Sequence, residues 1–104
     1  MQIQFNTDNN IKGSEELRGP LEETINRLLN RFAERITRLE VHFNDENSHK
    51  SGEDDKRCML EARLEGMQPI AVTNNGATEE HALKGAIDKL KAALDTVIGR
   101  SRNY

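Results

Sequence analysis

Residues 57–65, RCMLEARLE, put Cys58, Leu60, Ala62 and Leu64 at every second position. Arg57, Met59, Glu61, Arg63 and Glu65 fall between them. Side chains of an extended strand point alternately to opposite faces, so this run has one dry face and one wet face. It belongs in a sheet that is covered on one side only. Three other segments repeat the pattern. In residues 38–43, RLEVHF, Leu39, Val41 and Phe43 face one way and Arg38, Glu40 and His42 the other. In residues 2–7, QIQFNT, Ile3 and Phe5 alternate with Gln2 and Gln4. In PIAVT, Ile70 and Val72 face inward. The 2–7 run follows Met1, and PIAVT lies between a GMQP turn and NNGA, whose glycine suits an unusual backbone angle.

Two segments change period. Leu17, Leu21, Ile25, Leu28, Leu29, Phe32 and Ile36 recur at spacings of mostly three and four, as do Leu83, Ile87, Leu90, Leu94 and Val97. Both read as amphipathic helices. Ser14 and Thr78 stand where N-caps belong, each followed by two glutamates that complement the helix dipole. Pro20 predicts a kinked or irregular first turn, and Gly99 predicts the end of the second helix, with a frayed RSRNY tail. The order β-α-β-β-β-α predicts an α+β two-layer sandwich, a four-stranded mixed sheet with two helices on one face. The first helix is a crossover, so strands one and two should be parallel and the rest an antiparallel meander.

The chain has 104 residues, enough for one domain over 1–104. Charged residues make up 32% and apolar ones 35%, which suits a soluble protein that still has a core. The net charge of −3 supplies no bulk attraction for nucleic acid, so any such contact needs a local patch, and no DNA partner is expected. One cysteine, a polar N-terminus and no bilayer-length apolar run predict a cytoplasmic protein with no membrane partner.

The stretch DENSHKSGEDDKR, residues 45–57, carries five carboxylates between two strands. As a calcium loop it fails: counted from Asp45, the sixth position is Lys50 rather than glycine and the twelfth is Lys56 rather than glutamate. It reads as a solvated hairpin connection, longer than the usual ~2–5 residues, with partner contact as the alternative. Asp45, Glu46, Asp54, Asp55 and Arg57 are the candidate contact residues. His42, His49 and His81 are scattered and Cys58 falls at an inward position, so no metal site is expected and the thiol reads as an inert core group. No nucleophile elbow, phosphate loop or dinucleotide fingerprint occurs, so neither catalysis nor a cofactor is expected.

Positive charge concentrates locally. Arg27, Arg31, Arg35 and Arg38 recur near the end of helix one, and Glu34 alone interrupts them, leaving +3 over residues 27–38. Cations at a helix C-terminus are favoured by the dipole alone, and Glu23 supports Arg27 at i,i+4. Lys84, Lys89 and Lys91 alternate with Asp88 and Asp95 along helix two, which also reads as a mixed solvated face. If either patch meets RNA, the contacts are to phosphates and salt-sensitive.

Four places carry a resemblance: MQIQFNTDNN leading to SEELR; RFAERITRLEVHF; the short strand before NNGATEEHALKGAIDKL; and AIDKLKAAL, within which IDKL is the most recognisable piece. With the element order, they make the chain resemble the ribosome hibernation-promoting factors, also called ribosomal subunit interface proteins, in a branch with a long acidic loop. The resemblance spans nearly the whole chain. It implies a fold similar to double-stranded-RNA-binding domains. It implies a non-enzymatic factor that binds small-subunit rRNA in the decoding cleft and holds ribosomes inactive under stress. In that family basic residues on both helices meet rRNA. Arg18, Arg27 and Lys89 match such positions, and Arg31 and Lys91 extend the same patches. A monomer or weak homodimer is expected. The acidic loop and the net negative charge motivate an alternative, a diverged member that binds a protein partner through residues 44–57 or the open sheet face.

Overall fold

The computed structural model describes residues 1–7, 14–45 and 56–102. The elements are β1 (Gln2–Thr7), α1 (Ser14–Leu28), a 3-10 turn (Asn30–Phe32), β2 (Ile36–Asp45), β3 (Lys56–Leu64), β4 (Ile70–Gly76) and α2 (Glu79–Arg102). The four strands lie in the order β1-β2-β3-β4, with β1 parallel to β2 and the other pairs antiparallel. This is the mixed sheet that the period-two runs predict.

The apolar side of each strand faces the helices. Leu39, Val41 and Phe43 of β2 and Cys58, Leu60, Ala62 and Leu64 of β3 are buried with Leu21, Ile25 and Leu29 below α1. Leu83, Ala86, Ile87, Leu90 and Leu94 complete the layer from α2. Truncating one such leucine to alanine costs about 2–5 kcal/mol.

Chain direction follows from the pairing. α1 joins the end of β1 to the start of the parallel β2, so it runs against both strands. α2 leaves the end of β4 and packs back along it. Both helices therefore run the same way, and their C-terminal ends meet at the end of the sheet where β2 begins and β3 finishes.

Three boundaries differ from the sequence reading. Helix one stops at Leu28, and its apolar stripe continues through other backbone: Phe32 is buried from the 3-10 turn and Ile36 from the first position of β2. A 3-10 turn also returns a side chain every third residue, so spacing alone does not mark the change. Pro20 lies inside a continuous α1, past its first turn, at an exposed position. Thr24 Oγ1 donates to the Pro20 carbonyl at 3.0 Å. α2 runs through Gly99 to Arg102. Its buried stripe ends on Ile98, while Val97 is half-buried.

The glycines are used differently from expectation. Gly66, in the β3–β4 turn, has the positive φ, at 74°. Gly76 instead permits close approach: a Cβ there would stand 2.5 Å from the Ala82 backbone nitrogen. One turn along, a Cβ on Gly85 would strike the Asn74 amide, which donates to the Ala82 carbonyl at 3.3 Å. These contacts draw the first turns of α2 onto β4.

Candidate nucleic-acid interface

Charge is segregated along the helix axes. The first turns carry acids, with Glu15 and Glu16 in α1 and Glu79 and Glu80 in α2. The opposite end gathers cations. Arg27 stands exposed in the last turn of α1, Arg31 in the 3-10 turn, Arg35 in the turn before β2, and Lys91 on the later half of α2. Arg31 and Arg35 line one cleft of about 230 Å³ with Phe32, Asp95 and Ile98. Among the described residues, Arg27, Arg35 and Lys91 have no acidic partner.

Arg31 is held more tightly. Its Nη2 meets both carboxylate oxygens of Asp95 at 3.0 and 2.9 Å, and the guanidinium lies 4.5 Å from the Phe32 ring centroid. The side chains of Arg31 and Asp95 remain 62% and 55% exposed. Such an exposed pair adds ~0–1 kcal/mol to stability, so its main effect is to fix where the guanidinium points.

The remaining predicted RNA-binding residues stand elsewhere. Arg18 lies toward the start of α1, 5.4 Å from the Phe5 ring of β1. Lys89 and Lys91 are two residues apart, about 200° around a helix. Lys89 turns to the β4 flank and donates from Nζ to the Thr73 carbonyl at 2.7 Å. Arg38 belongs to β2 and faces the open side of the sheet, so the row of arginines seen in sequence divides between two surfaces. Arg35 gains importance that the helical reading obscured, because it shares the cleft with Arg31.

The open sheet face is an ion-pair lattice. Glu40 faces Glu61 across the β2–β3 pair, and Arg38 faces Arg63. Like charges directly opposed repel, but each carboxylate has an arginine beside it. Arg38 meets Glu40 at 3.1 Å, and Arg63 meets Glu40 at 3.4 Å and Glu61 at 3.2 Å. His42 Nε2 stands 3.7 Å from Glu40. The Glu40 side chain is 15% exposed, the most enclosed member of the group. Arg38 and Arg63 are thus engaged by the acids of their own face.

Other candidate features are quieter. Asp45 and Arg57 lie in strands rather than in a loop, paired opposite Lys56 and Asn44. Glu46, Asp54 and Asp55 lie outside the described residues. Cys58 is buried, and desolvation pushes its thiol up from 9.0 to about 12, which fits an inert core group. Among the described residues, no three His, Cys, Asp or Glu side chains converge to hold a metal. No helix is long and apolar enough to cross a membrane.

Known structures share this arrangement. The N-terminal domain of Protein Y from Thermus thermophilus superposes with a TM-score of 0.69 at 20% identity, over 93% of this chain and 99% of that one. A ribosomal subunit interface protein from Coxiella burnetii superposes with a TM-score of 0.71 at 19% identity, over 95% of this chain and 99% of that one. At these identities the likeness shows the fold. No curated protein matches the chain. The family model described as sigma 54 modulation protein / S30EA ribosomal protein matches residues 3–102. With that model covering all but the ends, the chain belongs to the sigma 54 modulation protein / S30EA ribosomal protein family, the ribosome-associated hibernation and subunit interface proteins.

Proposed function

We propose that this chain is a non-enzymatic hibernation factor of the cytoplasm that binds small-subunit rRNA in the decoding cleft and keeps ribosomes inactive under stress. The observation that carries the reading is the cleft that brings Arg31 and Arg35 together just beyond Arg27 in the last turn of α1, in a chain whose net charge is −3. Segregation lets a net-negative protein present a positive end to a polyanion, because exposed charges more than ~8–10 Å apart are largely screened at physiological salt. Family membership supports the ribosome as the polyanion. Arg18 and Lys89 would add phosphate contacts along the flanks of the helix layer rather than at its centre.

The experiment is a gradient fractionation of lysates from growing and starved cells, at low and high salt, with the protein detected by blotting. Co-migration with small subunits or whole ribosomes in starved cells, lost at high salt, is the expected result. Protein at the top of every gradient would overturn the reading and turn attention to a protein partner of the 44–57 hairpin or the open sheet face.

A further inference from the structure

Asp95 is an acid at the basic end, and it sits on the cation whose geometry is most fixed there. Its two oxygens both lie against one nitrogen, Arg31 Nη2, a charge-assisted contact of the kind that a phosphate also accepts. The pair joins α2 to the 3-10 turn across 64 residues of sequence. The cleft beside it holds a second guanidinium, Arg35, with no acidic partner among the described residues. Stacking on Phe32 keeps the Arg31 plane in position whether or not Asp95 is engaged.

We propose that the cleft lined by Arg31, Phe32, Arg35, Asp95 and Ile98 is a phosphate subsite for an RNA backbone, and that Asp95 is its built-in competing anion. The inference rests on the RNA-binding reading above and adds a regulator to it. With Asp95 in place, Arg31 is neutralised and pre-aimed. An incoming phosphodiester displaces the carboxylate and takes its place on the guanidinium, with Arg35 beside it. The pair is exposed on both sides, so the exchange requires no unfolding and costs only the loss of a weak surface ion pair. The carboxylate lowers affinity and keeps binding reversible.

The test measures binding of purified small ribosomal subunits over a salt series. The proteins are wild type, Asp95→Asn, Arg31→Ala, the double variant and Asp88→Asn. Asp88 is exposed on α2 without an ion pair, so its substitution makes the same change in net charge away from Arg31. Asp95→Asn should bind about two- to fivefold tighter at low salt, the range an exposed pair can supply. Its plot of log affinity against log salt should steepen by about 0.7–0.9, one added phosphate contact. The gain should vanish when Arg31 is alanine and should exceed that of Asp88→Asn. An equal gain in the Arg31→Ala background, or from Asp88→Asn, would overturn the proposal by showing a general charge effect. Weaker binding by Asp95→Asn would also overturn it, because Asp95 would then be a positioning residue. If wild type and every variant fail to bind at low salt, the RNA-binding reading itself fails and the subsite with it.

Discussion

The two charged surfaces use the same residue types to opposite ends. On the open sheet face Arg38 pairs with Glu40 along β2, Arg63 with Glu61 along β3, and Arg63 also reaches Glu40 across the two strands. Where α1 ends, Arg27 and Arg35 stand without acidic partners among the described residues, as does Lys91 midway along α2, and Arg31 is restrained by a single exposed carboxylate. The difference is pairing rather than number of cations. The pleat sets an arginine two residues from a glutamate along each strand, close enough to pair, and one diagonal contact joins the strands. The ends of two parallel-running helices leave room, and their dipoles favour cations there whatever else those cations do. Among the described residues, unpaired arginines gather mainly on the second surface.

The largest break in this contrast comes from charge reversal. Arg27→Glu, Arg31→Glu and Arg35→Glu together should lower small-subunit affinity by at least about 100-fold at low salt, since three phosphate contacts are lost and three repulsions added. Arg38→Gln with Arg63→Gln should change affinity less than about threefold. Equilibrium binding of the two variants, each checked for native circular dichroism, decides whether the surfaces differ as described.

A smaller effect sharpens the structural side of the contrast. Cys58 lies at an inward position of β3, beneath the lattice, and its folded thiol titrates near 12. The folded form holds its proton above the unfolded value, so its contribution is complete below pH 9.0 and declines as pH rises toward 12. Urea unfolding should show stability falling by about 1 kcal/mol per pH unit across that window. Cys58→Ala, less stable overall, should lose this component of the slope.

The smallest effect concerns the lattice itself. Glu40→Gln removes the carboxylate that Arg38, Arg63 and His42 share, and should cost about 1–2 kcal/mol by urea unfolding. Glu40→Gln with Glu61→Gln leaves two arginines uncompensated on the sheet face. Salt-sensitive RNA binding should then appear at that face even when Arg27, Arg31 and Arg35 are reversed. Its absence would mean that shape, and not pairing, separates the surfaces.

Much of the fold was legible because one periodicity decides it. Leu39, Val41, Phe43, Cys58, Leu60, Ala62 and Leu64 are buried as alternation requires. The end of helix one was not legible, because Phe32 and Ile36 keep the helical spacing while the backbone becomes a 3-10 turn and then a strand. Arg38, counted with the basic run in sequence, stands on the outward face of strand two, as the alternation of RLEVHF requires. The residues of the basic end were visible, but their state was not. Whether an arginine is available depends on partners far off in sequence, as with Arg31 and Asp95, or on strand register, as with Arg63 and Glu40. Lys89 and Lys91 looked equivalent until the helix placed them on opposite flanks.

The most direct test of the central claim is the salt dependence of wild-type binding to small subunits. Three or four phosphate contacts from one basic end should give a straight line of log affinity against log salt with a slope of about −2 to −4. A flat line would contradict phosphate reading by this end and would place the binding energy on an uncharged contact elsewhere on the molecule.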